Sequence, residues 1–220
     1  QLKGEEPVES IDLSSKQLGV ASAVVISSLL DSNTVAKVLK LDNNNMQNQG
    51  AGYLSEILKV NLTLTEISLS ENNIEAEGVS HFAGALKMNK SLTSLDLAKN
   101  FICQDGEMKS LEAICEMLKS NTSLRELRLA ENGIGSKGAE YIAEALKTNS
   151  SLTSIDLDSN SIGAQFKWDK GCVSTPEGPA SIAEMLKVNT TLTSISIRHS
   201  NLNDEAKAIL NEAAGTRVAI

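Results

Sequence analysis

The chain has 220 residues and a formal charge of −8; 41% of its residues are hydrophobic and only 3% aromatic. An acidic balance of this size opposes binding to phosphate backbones or anionic lipid, which need clustered Lys and Arg. No run of 18 apolar residues is present to cross a bilayer as a helix, so neither nucleic acid nor membrane is an expected partner.

Residues 1–7 are polar, with neither an apolar signal core nor an initiator Met, and read as a processed or trimmed end. From Val8 to Leu18 runs a worn copy of a pattern seen best in LTSLDLAKNFI (Leu92 to Ile102): L-x-x-L-x-L-x-x-N-x-I. Good copies start at Ala36, Leu64, Leu92, Leu124, Leu152 and Leu192, at steps of 28, 28, 28, 32, 28 and 40 residues from the worn one. Where the others carry Asn44, Asn72, Asn100, Asn132 and Asn160, the worn copy has Lys16 and the last has Ser200. A buried amide at that place both donates to and accepts from neighbouring turns as the chain leaves a strand, and a lysine there suits an end unit.

Between copies the spacing predicts helices, the first over Gly19 to Asn33. Leu30, Leu58, Leu86, Leu118, Leu146 and Leu186 share one repeat position, with an apolar residue four earlier in each unit, which puts both on one helical face directed at the strand layer. Gly50, Gly78, Gly138 and Gly178 near the helix starts are expected to serve a tight turn out of the asparagine loop. Asn33, Asn61, Asn89, Asn121, Asn149 and Asn189 close the helices, where left-handed backbone is expected. Lys59, Lys87, Lys119, Lys147 and Lys187 meet the negative end of each helix dipole; they read as a solvated face or as a binding stripe.

Two units break the spacing. Four extra residues fall around Cys103 to Lys109, to lengthen a loop or add a helical turn, and twelve fall within the insertion 163–178 (GAQFKWDKGCVSTPEG). The second holds the single Trp, Trp168, beside Phe166, Lys167, Asp169 and Lys170. A last helix is expected at about 204–214 as a cap. Three cysteines, Cys103, Cys115 and Cys172, are an odd number without a terminal cluster, which favours a reducing compartment and a cytoplasmic location. Five N-x-[S/T] sequons, at Asn61, Asn89, Asn121, Asn149 and Asn189, point the other way. All share one repeat position, so a consensus that happens to spell a sequon accounts for them.

The period and pattern are the signature of leucine-rich repeats. The units, exemplified by SLTSLDLAKNFI and NGIGSKGAEYIAEALKTNSSL, resemble the ribonuclease-inhibitor-like class of that family, which includes ribonuclease inhibitor, Ran GTPase-activating protein, NOD-like receptor and tropomodulin repeats. The resemblance covers residues 8 to about 214. It implies an α/β solenoid (horseshoe) of about seven repeats, with parallel strands on the concave face and helices on the convex face. One domain over 1–220 is expected, with units starting near 8, 36, 64, 92, 124, 152 and 192.

In the strand register, residues beside the leucines face the concave surface, which is small, polar and mildly acidic; Arg128, Arg198, Asp156 and Asp158 are its candidate contacts. Hot spots are usually Trp, Tyr and Arg, so Trp168 and Phe166 on the insertion either anchor a partner or fold back over the gap left by the longer loop. Catalysis finds little support: His81 and His199 are about four units apart, and no Walker or G-x-G-x-x-G loop occurs. The expected function is a non-catalytic protein-interaction scaffold, acting as a monomer on a protein partner without cofactor or metal. The resemblance also implies two alternatives, a regulator of a small GTPase and an actin-filament regulator.

Overall fold

The computed structural model describes residues 8–103, 108–167, 171–216 and 218. In chain order these give β1 (Ser10–Asp12), α1 (Gly19–Asp31), β2 (Val38–Lys40), α2 (Gln47–Leu58), β3 (Glu66–Ser68), α3 (Ala76–Leu86), β4 (Ser94–Asp96) and α4 (Lys109–Ser120). There follow β5 (Glu126–Arg128), α5 (Gly135–Leu146), β6 (Ser154–Asp156), β7 (Ala164–Lys167), β8 (Gly171–Ser174), α6 (Glu177–Val188), β9 (Ser194–Ser196) and α7 (Asp204–Ala214). Seven strands form one parallel sheet in the order β1-β2-β3-β4-β5-β6-β9, while β7 and β8 pair antiparallel. The architecture is the α/β leucine-rich repeat solenoid, strands on one face and helices on the other.

Each three-residue strand sits in register with its neighbour, so Ile11, Leu39, Ile67, Leu95, Leu127, Ile155 and Ile195 stack in one row. None is more than 1% exposed. The helices supply the other wall, with Leu54, Phe82, Ile114, Ile142 and Ile182 all buried. The core is thus a set of aliphatic rows, each unit shielding the next, and a unit's stability depends on its neighbours.

The asparagine row continues through these units. Asn100 donates through Nδ2 to the carbonyls of Leu69, Leu97 and Ala98 at 3.0, 3.0 and 3.1 Å, and its Oδ1 accepts from the N–H groups of Asn72 and Ile74 at 3.1 and 2.9 Å. Residues flanking the row adopt left-handed backbone, among them Asn43, Asn45, Glu71, Asn73, Lys99, Glu131, Ser159 and His199. Such conformations cost about 1–2 kcal/mol in a side-chain-bearing residue and persist because the ladder holds the turn.

Two expectations need correction. The asparagines that close the helices are not left-handed: Asn121 and Asn189 have φ, ψ near −75°, 132° and −73°, 125°. They form a second buried ladder instead. Asn61 donates to the carbonyls of Leu30 and Asn33 at 3.0 and 3.1 Å and accepts from the N–H groups of Thr63 and Leu64, both at 2.9 Å. The bonding capacity of the amide, rather than its tolerance of φ > 0, selects Asn here. Nor do Gly50, Gly78, Gly138 and Gly178 serve a turn. They lie inside helices, where a Cβ at Gly138 would stand 2.5 Å from Ile134 Cγ2 and 2.8 Å from Leu111 Cδ2, so they permit close approach of adjacent helices.

The insertions differ in kind. The helix α4 has twelve residues, as α2 does, so the four extra residues add no turn to it. In the larger insertion β7 and β8 form a hairpin, tied down where Thr175 N–H donates to Gly163 O at 3.0 Å and Gly163 N–H to Ser200 O at 2.8 Å. The hairpin leans on α5, and Asn203 Nδ2 donates to Ser174 Oγ at 3.3 Å. Among the described residues no helix is long and apolar enough to cross a membrane.

Candidate interaction surface

Register places two side-chain rows on the concave sheet: Ser10, Val38, Glu66, Ser94, Glu126, Ser154 and Ser194, then Asp12, Lys40, Ser68, Asp96, Arg128, Asp156 and Ser196. Just past the strands follow Ser14, Asp42, Ser70, Ala98, Ala130, Asp158 and Arg198. Seven carboxylates thus face three cations, and the cations near the C-terminal end are already engaged.

Arg128 Nη2 bonds Glu126 Oε1 at 2.6 Å, and its Nη1 reaches Asp96 Oδ2 at 3.4 Å. Arg198 is held by Asp158, whose Oδ2 accepts from Nη2 at 2.9 Å and Nε at 3.0 Å and whose Oδ1 accepts from Arg198 N–H at 2.7 Å. The structure therefore brings Arg198 and Asp158 together. It pairs Arg128 with Asp96 and Glu126, which belong to the same rows but had not been singled out. Asp156 Oδ1 accepts from Asp158 N–H at 2.9 Å, and the Asp158 carboxylate turns to Arg198.

Burial raises the Asp96 carboxyl above the usual aspartate value of 3.8, the Ala98 N–H and Arg128 opposing it only in part. Asp158 moves the other way. Its burial is outweighed by the Ser196 hydroxyl, the Arg198 N–H and the Arg198 guanidinium, and it is held below that value.

Phe166 and Lys167 lie on β7, with their side chains outside the description; Trp168, Asp169 and Lys170 lie outside the described residues. His81 is exposed on α3 and His199 in the turn after β9. Burial pushes the Cys103 and Cys115 thiols up to about 12, so neither is a ready nucleophile at neutral pH. Among the described residues no group of three His, Cys, Asp or Glu is placed to hold a metal. Beyond β9 a cleft of about 370 Å³ is lined by Ile197, Arg198, His199, Ser200, Asn201, Leu202 and Lys207. Both tyrosines, Tyr53 and Tyr141, share one repeat position on the helix layer with the exposed Val25, and Tyr53 is 46% exposed. Sequence reasoning passed over this row; the common 28-residue phase of Val25, Tyr53 and His81 was the signal for it.

A leucine-rich repeat family model matches residues 60–83, 120–143 and 148–165. The chain carries the leucine-rich repeat fold, and the family model matches its repeats over part of its length. A strand and a full helix in each unit make it ribonuclease-inhibitor-like in build. Similar solved structures include the leucine-rich repeat protein LegL7 of Legionella pneumophila (18% identity, 97% of this chain and 74% of that one, TM-score 0.51) and the tropomodulin C-terminal domain of Caenorhabditis elegans (14%, 90% and 92%, 0.50). A third is leiomodin-1 actin-binding site 2 (19%, 87% and 86%, 0.49). At these identities the likeness is one of fold. A search of curated proteins gives no match.

Proposed function

We propose that the leucine-rich repeat array is a non-catalytic scaffold that binds a protein partner through its concave sheet. The observation that carries this is the arrangement of charge: seven carboxylates against three cations on a parallel sheet, where Arg128 and Arg198 compensate Glu126, Asp96 and Asp158 and leave Asp12, Asp42, Glu66 and Asp156 outside the ion pairs of the described residues. Such a face suits a basic protein surface, binding by electrostatic steering with a strong dependence on salt. Small side chains at Ser68, Ser70, Ala98, Ala130 and Ser154 leave room for a partner's long Lys and Arg side chains. The protein works as a monomer in the cytoplasm, and its charge of −8 keeps it from nucleic acid and anionic membrane. Small-GTPase regulation and actin-filament regulation rest on resemblance alone, and no residue of this surface favours either.

The test is charge reversal on the concave rows, Glu66→Lys with Asp156→Lys, beside the helix-face control Glu144→Lys, in affinity capture from native cells at low and moderate salt. A basic partner lost with the concave pair and kept with the control is the expected result. A partner kept by both overturns the assignment and moves the search to the hairpin.

A further inference from the structure

The five sequon asparagines are not merely shielded; their amides hold the array together. Asn61, Asn89, Asn121, Asn149 and Asn189 are between 1% and 6% exposed. Each Nδ2 donates to the carbonyl of a leucine at the end of the preceding unit's helix: Leu30, Leu58, Leu86, Leu118 and Leu146, at 3.0, 2.7, 2.7, 2.7 and 2.7 Å. The second Nδ2 hydrogen is used too, by Asn33 O for Asn61 at 3.1 Å, by Asn61 O for Asn89 at 3.3 Å and by Asn149 O for Asn189 at 3.1 Å. For Asn149 the further acceptor is Ser151 Oγ at 3.3 Å. The Oδ1 atoms accept from the next N–H groups of the return loop, Leu92 at 2.8 Å and Leu192 at 2.7 Å being two examples.

We infer that this fold and N-glycosylation exclude one another, so that the protein matures only where no oligosaccharide is transferred to N-x-[S/T] asparagines. In that transfer the amide nitrogen bonds to C1 of a lipid-linked oligosaccharide, the C1–O bond to the lipid diphosphate breaks, and Nδ2 loses one of its two hydrogens as a proton. The product lacks a donor that the ladder uses. It also carries a sugar on an atom in direct contact with the preceding unit, at a site buried without space for it. The folded chain hides all five amides, but an unfolded chain entering a glycosylating compartment exposes them. Modification there removes inter-unit bonds at five successive junctions, and in a one-dimensional array each junction is needed for the next.

The experiment expresses the full chain in one glycosylating cell line by two routes, in the cytosol and behind an appended secretion signal, the second with and without an inhibitor of lipid-linked oligosaccharide synthesis. A parallel variant breaks every sequon while keeping each asparagine: Thr63→Ala, Ser91→Ala, Ser123→Ala, Ser151→Ala and Thr191→Ala. Gel mobility before and after an N-glycosidase reads modification, and thermal melting reads folding. Expected are an unmodified cytosolic protein with a cooperative melt, a modified secretory protein without one, and recovery of the melt under the inhibitor. The Ser91, Ser123 and Ser151 hydroxyls themselves bond within the ladder, so the variant counts only if it melts cooperatively from the cytosol; the inhibitor arm stands without it. A secretory protein that carries these glycans and melts like the cytosolic form overturns the inference. So does one that folds unmodified without the inhibitor, or one that stays unfolded with it.

Discussion

Asn100 and Ser200 occupy the same repeat position, in the fourth unit and the last described one, and they do different amounts of work. The Asn100 amide binds three carbonyls and two N–H groups across two units, and its own N–H donates to Asn132 Oδ1 at 3.2 Å. The Ser200 hydroxyl accepts from Asn160 N–H at 3.3 Å and has one hydrogen for Leu157 O or Arg198 O, each at 3.4 Å. A junction between two complete units needs an amide, with two donors and a strong acceptor. Where the described array closes, a hydroxyl is enough. The same gradient runs to the other end, where Lys16 supplies no side-chain oxygen and its own N–H is satisfied by Asn44 Oδ1 at 2.9 Å.

The largest test of that gradient is in the core. Leu95→Ala, at a residue 1% exposed between two full neighbours, should cost about 2–5 kcal/mol as a cavity. Val8→Ala, at the half-buried start of the first unit, should cost far less in the same denaturant titration. Equal losses would mean that the units do not depend on their neighbours. Next comes the ladder itself. Asn100→Leu should lower stability by roughly 1–3 kcal/mol, the usual cost of leaving buried polar groups unpaired, and Ser200→Ala by less; unchanged melting of the Asn100 variant would remove the ladder from the account. A third pair separates two glycines. Gly138→Ala should destabilise by about 1–3 kcal/mol through overpacking against Ile134 and Leu111. Gly84→Ala meets nothing within 4 Å in α3 and should stabilise by about 0.5–1 kcal/mol through helix propensity.

The aliphatic rows, strands and helices were legible because each is carried by a residue type recurring in phase: Leu39, Ile67, Leu95 and Leu127 show which residues stack before any geometry is known. Period says less about what a polar residue does once stacked. Asn61 and Asn100 are both in-phase asparagines, and only the second could be placed by its position after a strand; the first, at a helix end, was read through local capping rules when inter-unit bonds govern it. Left-handed backbone at Glu71, Lys99 and His199 left no mark in composition, since the ladder imposes it on residues that would not choose it alone. On the concave face, charge and side-chain identity were readable from the strand register. The pairing of Arg128 with Glu126 on its own strand and of Arg198 with Asp158 in the neighbouring unit was not, because it depends on side-chain reach.

The smallest effect contrasts the two concave aspartates whose environments pull in opposite directions. Asp158 is held below 3.8: burial alone would raise it, but the Ser196 hydroxyl and Arg198 outweigh that. The folded state therefore binds this proton less readily than the unfolded one, and Asp158 contributes stability that is whole above 3.8 and lost as pH falls through its lowered value. Asp96 is raised, chiefly by burial. Its charge counts against the fold at neutral pH, and acidification through its raised value toward 3.8 relieves that penalty. Urea unfolding at steps from neutral pH to about pH 3 should show the deficit of Asp158→Asn relative to wild type shrinking with acid. The wild type should meanwhile gain on Asp96→Asn over the same range. Both changes should stay below about 1 kcal/mol, because the paired arginines are largely solvent-exposed. If the two difference curves run parallel, Arg198 does not distinguish Asp158 from Asp96, and the pairing on the concave rim contributes nothing to the charge that a partner meets.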